Sequence, residues 1–451
     1  MAVLPKVLAT VFIAFCCYRI SQADEDRTSR IRRGFRIHPH THMTTAEMIR
    51  ARGYPAEVHH VVTDDGYILE VHRIPLSSRR SSEHNLNLTY SVQNEVKRSL
   101  ELQLLNTSAR TDHEKSPAGE ITHRGDPRVV FILHCFLCSS ADFVMNDHDQ
   151  ALAFVMSDEG YDVWLGNMRG NIYGRRHSKF SPSDTQFWEF SIDTSARYDL
   201  PAMLQYVRTQ TGVTQLSYIG HSMGNMLFFA TMSIHPHINS WVRVMAGMGP
   251  VAYMYHGHAQ LGFLAPVTDK LERSLAKKGQ LEFMAPTNTT AMMVSGLCSD
   301  MIFIRPICQL ILDFIAGPSS RNVDPTYLPV IAAHTPAGSS FRIFAHLLQF
   351  VRDRTFQAYD WGPTKNREVY GSSRPTRLEL SKVTVPVAGF WSSSDVLADP
   401  RDVARTLREV SNLVLNHQVQ HDSFNHMDFL WGENARSLVY KHIIDFFNQY
   451  Y

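Results

Sequence analysis

The sequence lacks an excess of charge of either sign: 44 Lys and Arg stand against 43 Asp and Glu, a formal +1 over 451 residues. Outside a basic run over Arg30–Arg36 nothing carries the electrostatic footprint of a phosphate-backbone surface, so dedicated nucleic-acid binding is excluded. It also lacks internal repeats and low-complexity tracts, which removes solenoids and collagen-like chains from consideration. No apolar run is long enough to cross a bilayer. The N-terminal one, Val7–Cys17, ends at Tyr18-Arg19, whereas a membrane anchor needs about twenty apolar residues. Cysteine is sparse, at six. Cys135-Phe-Leu-Cys138 has neither a second CxxC nor a spaced His pair, so a zinc knuckle and a redox dithiol are both disfavoured. What is plentiful is core material: 44% apolar residues, 19% charged, and 25 Phe. That length and composition suit one large α/β domain with an insertion, or two domains of ordinary size.

Lys6, the Val7–Cys17 run, and Ser21-Gln-Ala23 with small residues at the −3 and −1 positions read as a signal peptide over 1–23. A secreted or lysosomal protein follows. Cleavage discards Cys16 and Cys17, leaving Cys135, Cys138, Cys298 and Cys308, which allow three full pairings in an oxidising compartment; proximity favours Cys298 with Cys308. Sequons at Asn87, Asn106 and Asn288 fit exported surface loops and are expected glycosylation sites. Residues 24–45 read as a propeptide or loose arm, with Arg30-Ile-Arg-Arg33 resembling a proprotein-convertase site, or as a solvated basic stretch. His38, His40 and His42 alternate as on one strand face, but Pro39 intervenes and no ligand set is complete. No metal and no cofactor are expected.

Val58–Pro75, broken by Asp64-Asp65-Gly66, predicts an antiparallel edge hairpin, and the polar stretch 77–127 an exposed insertion. Val129–Leu133, Tyr161–Leu165 and Leu216–Ile219 are continuous apolar runs, as on strands buried on both faces. Helical spacing over Gln150–Asp158 and Asp193–Thr209 lies between them, predicting an α/β fold with a mostly parallel, doubly wound sheet. Val242–Met245, Val385–Trp391 and Leu413–Val419 are further strands. The core then occupies 46–252 and 381–451, and 253–380, rich in Met, Phe, Ile and Pro, is an inserted cap. Within it Met301–Gly317 is nearly all apolar, as packed core or a lipid-facing lid surface, and Pro306 argues against a membrane span.

Gly220-His221-Ser222-Met223-Gly224 follows one of these strands and precedes the helical Asn225–Ala230. Strand, sharp turn and helix form a nucleophile elbow, which exposes Ser222 at the sheet edge. Serine alone is a poor nucleophile, so a base and an orienting carboxylate must follow in the order Ser, Asp, His. Asp395, after the Val385–Trp391 strand, fits the acid; Asp399, ahead of Pro400, also fits but suits a helix cap better. By position, His421 and His426 both fit the base. The oxyanion hole needs the Met223 N–H and one from the loop His134-Cys-Phe-Leu137, where Phe136 is placed to donate.

Beyond this site the chain carries Gly53-Tyr-Pro55, Asp65-Gly-Tyr67, Tyr161-Asp-Val-Trp-Leu-Gly-Asn167, Arg169-Gly170 and Tyr198-Asp-Leu-Pro201. Further on come His334-Thr-Pro-Ala-Gly338, Phe356-Gln-Ala-Tyr-Asp-Trp-Gly362, Leu397-Ala-Asp-Pro400 and Asn425-His-Met-Asp-Phe429. Over about residues 45–450, apart from the polar insertion, it resembles an acid lipase of the gastric and lysosomal lipase family. The resemblance implies an α/β-hydrolase fold, Asp395 as acid, His426 as base, and a cap disulfide compatible with Cys298 and Cys308. It also implies hydrolysis of triacylglycerols or sterol esters at a lipid–water interface, through an acyl-enzyme. One departure stands out: such lipases have His-Gly-Leu where this chain has His134-Cys-Phe136. If that glycine position demands positive φ, a Cys costs about 1–2 kcal/mol and displaces the Phe136 N–H, so Cys135→Gly would raise turnover. That departure motivates the alternative reading, a weak or inactive hydrolase-fold lipid binder; a serine peptidase on the same fold is a third.

Overall fold

Alternation along β3 (Val129–Leu133) shows how the layers arise: Val129, Phe131 and Leu133 point into one apolar cluster, and Val130 and Ile132 into another on the opposite face. A strand buried on both faces must be covered twice, and helices lie on either side. The computed structural model describes residues 38–75, 127–257, 265–284 and 322–451. The signal peptide, the three sequons, Cys298, Cys308, Met301–Gly317 and nearly all of the 77–127 insertion lie outside the described residues.

In chain order the strands are β1 (Glu57–Val62), β2 (Tyr67–Ile74), β3, β4 (Asp162–Gly166), β5 (Arg176–His177), β6 (Leu216–His221), β7 (Val242–Met248), β8 (Glu282–Phe283), β9 (Ser339–Ser340), β10 (Val387–Trp391) and β11 (Leu413–Gln418). The main sheet is ordered β1-β2-β4-β3-β6-β7-β10-β11, with β5 on β2. β1, β2 and β5 pair antiparallel at one edge, and the run from β4 to β11 is parallel. The chain winds one way from β3 to β4 and the other way to β6, so a crevice opens at the carboxyl ends of β3 and β6, the place where such sheets bind ligands. β6 and β7 run further than their apolar stretches, through His221 and Met248, because pairing with neighbours rather than side-chain type extends them.

The helices are α1 (Thr45–Ala51), α2 (Leu152–Asp158), α3 (Ile192–Thr211), α4 (Met223–Ile234), α5 (Ala265–Lys277), α6 (Leu328–His334), α7 (Phe341–Asp353), α8 (Pro363–Tyr370), α9 (Pro400–Glu409), α10 (Asp428–Trp431) and α11 (Lys441–Phe447). α4 is buried on all sides from Met223 to Ser233, as its predominantly apolar sequence dictates. α3 packs over it, while α2 and α11 cover the other face. Between β7 and β10 the described chain is mainly helical, and α5 packs on α7.

Three of the quoted motifs meet in one buried ion cluster. The Arg169 guanidinium bonds Asp199 at 2.5 Å and Asp65 at 2.6 Å and lies 3.9 Å from the Tyr67 ring centroid. The end of the segment expected as a loose arm packs instead. Pro39–His42 forms a 3-10 turn, not a strand, and the buried His40 gives its carbonyl to His334 Nε2 at 2.9 Å. Thr44 and Glu47 then close a capping box on α1.

Candidate active site

At the turn between β6 and α4, Ser222 sits at φ 52° and ψ −113°. A non-glycine residue there costs about 1–2 kcal/mol, which the surroundings must offset. They do so by bonding. Ser222 N–H donates to Met248 O at 3.0 Å, Asn225 Nδ2 to the same carbonyl at 2.9 Å, and Tyr218 Oη to Gly224 O at 2.8 Å. Gly224 is required by close approach, since a Cβ would lie 2.4 Å from Leu133 O. That contact presses the N-terminus of α4 against the end of β3, and so brings Met223 beside the loop that carries Phe136.

Asp395 and His426 meet at the same sheet edge. Asp395 Oδ1 accepts the Leu397 and Ala398 N–H groups at 2.9 and 2.7 Å, and Oδ2 lies 2.7 Å from His426 Nδ1. An ionised carboxylate only accepts, so His426 carries its proton on Nδ1 and keeps a bare Nε2. Both side chains are buried, and Ser222 is half-buried. Gly249, next to the carbonyl that holds Ser222, lies under the imidazole at φ +55°, and a Cβ there would stand 3.0 Å from His426 Cε1. Ser222 and His426 share no closed hydrogen bond; the His426 ring nitrogen that is bonded, Nδ1, is held by Asp395. Asn425 Oδ1 accepts the Met427 and Asp428 N–H groups, while Asn425 N–H donates to Asp428 Oδ2 at 2.7 Å, which fixes the loop around His426. His421 is more exposed and receives Ser423 N–H on its own ring. Asp399 N-caps α9, accepting Arg401 N–H at 2.9 Å.

One neutral histidine lies against this pair, and a second stands at the start of the loop that carries Phe136. His221, fully buried, donates from Nε2 to His426 O at 2.9 Å, and its ring centroid is 4.7 Å from that of His426. Burial, then the neighbouring His426, hold its pKa well below the ordinary value. His134 accepts Met168 N–H and Asn171 Nδ2–H on Nε2, both at 3.1 Å, so its proton is on Nδ1 and donates to Cys135 O at 2.8 Å. Burial lowers it to about 4.

The loop His134–Leu137 corrects one expectation. Cys135 is not in the left-handed region; Leu137 is, at φ 61°, and Cys135 is disulfide-bonded to Cys138. The proposed cost of a Cys at the glycine position therefore does not arise there, and with it goes the motive for a poorly active site. Phe136 N–H has no partner among the described residues, and Met223 N–H is at a helix N-terminus, where such groups lack intrahelical acceptors. The Phe136 ring stacks on Phe283 of β8 and Phe344 of α7 at 6.2 and 6.5 Å. Beside the loop lies a small crevice lined by His134, Leu137, Met168, Asn171, Met223 and Ile343 among others.

Sequence reasoning missed Gly249, the positioning part of His221, and Asn425 with Asp428. Only the last left a local trace, an Asx-type spacing within a motif already quoted. Among the described residues, the His256, Asp399 and Asp402 ligand atoms lie within 4.8 Å of one another, but they serve ion pairing and capping: Asp402 bonds His256 Nδ1 at 2.8 Å, and Asp399 holds Arg401. No described helix is long and apolar enough to cross a membrane.

Residues 45–147 match the family model of a partial alpha/beta-hydrolase lipase region, and residues 128–433 that of the alpha/beta hydrolase fold. The chain is 33% identical to human gastric triacylglycerol lipase over 419 residues, covering 91% of this chain and 92% of that one. With human lysosomal acid lipase/cholesteryl ester hydrolase the identity is 30% over 415 residues, covering 92% and 93%. A solved structure from Sulfolobus solfataricus, 14% identical, superposes with a TM-score of 0.51 over 87% of this chain and 99% of that one, which shows the shared fold. The sheet order, the strained serine turn and these relatives lead to one assignment: the chain belongs to the gastric and lysosomal acid lipase family of α/β hydrolases.

Proposed function

We propose that this protein is a serine lipase that hydrolyses neutral-lipid carboxylic esters, triacylglycerol or sterol ester, at a lipid–water interface. The observation that carries the reading is the 2.7 Å Asp395–His426 pair, with Nε2 bare, packed against the strand end that holds the Ser222 turn. Ser222 Oγ attacks the ester carbonyl while His426 Nε2 takes its proton, and Asp395 stabilises the imidazolium. The Phe136 and Met223 N–H groups bind the tetrahedral oxyanion. His426 then protonates the leaving alcohol, and water, activated by the same imidazole, releases the fatty acid from the acyl-enzyme. These residues supply every proton and charge that the two half-reactions need.

In this reading residues 253–380 form a cap over the site, and 46–252 with 381–451 the hydrolase core. The stack of Phe136 on Phe283 and Phe344 supports it, because it joins the oxyanion loop to the segment between β7 and β10. The N-terminal signal, the sequons and the gastric and lysosomal relatives support passage through the secretory pathway to a secreted or lysosomal destination. Labelling purified protein with a fluorophosphonate tests the reading: wild type should label and Ser222→Ala should not. Failure of wild type to label across a wide pH range would reject it.

A further inference from the structure

The Cys135–Cys138 bond closes a four-residue ring around Phe136 and Leu137, with Cα atoms 5.2 Å apart. Cys138 N–H donates to Cys135 O at 3.3 Å, so the ring is also a β-turn, with Leu137 at its third position. That position takes φ 61°, the left-handed value of a type II turn, where Gly or Asn is the usual occupant. In such a turn the N–H groups of the two central residues make no bond within the turn, which leaves Phe136 N–H free to point outward. The turn is anchored on both sides. Cys135 and Cys138 are buried in the apolar cluster on one face of the sheet, and the Phe136 ring packs against the cluster on the other. Its carbonyls are tied as well: Cys135 O to His134 Nδ1–H, and Leu137 O to Ala337 N–H at 2.7 Å.

We propose that the Cys135–Cys138 disulfide is a positioning element of the oxyanion hole, holding Leu137 left-handed and Phe136 N–H aimed at the tetrahedral intermediate in place of a glycine-permitted turn. The inference rests on the assignment of Phe136 as a donor in the proposed function. Its consequence falls on the transition state. An oxyanion donor meets its full charge only as the carbonyl becomes tetrahedral, so opening the ring lowers kcat and leaves KM for a soluble ester nearly unchanged. The upper bound is loss of one donor, about 10²–10³ in kcat.

The test uses full-length secreted protein and a soluble p-nitrophenyl ester. Cys135→Ala/Cys138→Ala should lose about tenfold or more in kcat, with KM within about twofold of wild type. Two substitutions separate ring from donor. Phe136→Ala keeps the N–H, whereas Phe136→Pro removes it at a turn position that proline suits. If the disulfide acts through that N–H, adding Cys135→Ala/Cys138→Ala to Phe136→Pro costs nothing further, while adding it to Phe136→Ala costs the full tenfold. Should the double variant fail to be secreted, folded wild type is reduced with dithiothreitol. The reagent gives two electrons and two protons to the Cys135 and Cys138 sulfurs and leaves as its cyclic disulfide, and alkylation with mass spectrometry reports that opening. Turnover should fall on reduction and return on reoxidation. Unchanged kcat with the ring open, a loss confined to KM, or an undiminished loss on top of Phe136→Pro overturns the proposal. Absence of Ser222-dependent hydrolysis in wild type instead overturns the functional reading beneath it.

Discussion

Replacing Gly249 by alanine separates backbone strain from the need for space. Gly249 has φ +55°, and the added Cβ would meet His426 Cε1 at 3.0 Å, Nδ1 at 3.2 Å and Asp395 Oδ2 at 3.5 Å. The imidazole must retreat by a few tenths of an ångström, yet it is held at 2.7 Å from Asp395 and its carbonyl is bonded to His221. A misplacement of 1 Å costs about 10²-fold, so a shift of this size should lower kcat about tenfold. The left-handed backbone adds a loss of about 1–2 kcal/mol in stability. Gly212 supplies the control: it ends α3 at φ +73° with nothing within 4 Å of its Cβ position. Gly212→Ala should therefore show a similar stability loss and wild-type kcat. Urea unfolding and steady-state kinetics on a soluble ester measure both quantities. Wild-type kcat in a folded Gly249→Ala protein, or an equal kcat loss in Gly212→Ala, would refute the claim that His426 is fixed by contact at Gly249.

Ser222→Ala, His426→Ala and Asp395→Ala should each abolish turnover, Ser222→Ala with thermal melting nearly unchanged and Asp395→Ala with a loss of stability because it leaves the Leu397 and Ala398 N–H groups without their acceptor; Asp399→Ala should retain kcat but lose about 1 kcal/mol as a lost N-cap, and retained activity in Asp395→Ala rejects the assignment. His134 binds a proton near pH 6.5 when unfolded but only near 4 when folded. The unfolded chain thus holds more protons across that window, and stability is lost as pH falls from about 6.5 to 4. This amounts to about 3 kcal/mol, absent in His134→Gln. Asp142, raised to about 6 by burial, acts in the opposite sense, so the informative quantity is the difference in unfolding free energy between variant and wild type at pH 7 and pH 4, and equal slopes would contradict the prediction. Acidification towards pH 5 should also strengthen binding to anionic lipid droplets, because the +1 net charge leaves 23 histidines neutral. The buried His40, His134 and His221 titrate too low to contribute. A pH-independent droplet-binding assay at low salt would contradict it.

The sequence by itself determined the periodic elements and the elbow. Strand burial, helix spacing and the Gly-x-Ser-x-Gly turn are local properties, written in residues that neighbour one another in the chain. Acid, base and oxyanion loop were legible as candidates because each follows a strand, but position alone left Asp395 beside Asp399 and His421 beside His426. Family resemblance chose between them. Only the tertiary structure decided which side chains meet, since buried parallel strands look alike in sequence and their order is fixed by long-range crossovers and packing. Bringing β3, β6, β7 and β10 side by side is what sets Gly249 under His426, Gly224 against Leu133, and Arg169 between Asp65 and Asp199. The same reason explains the misreading at Cys135. Sequence comparison located a missing glycine, but φ belongs to the folded turn, and there the left-handed strain falls on Leu137 while Cys135 is bonded to Cys138.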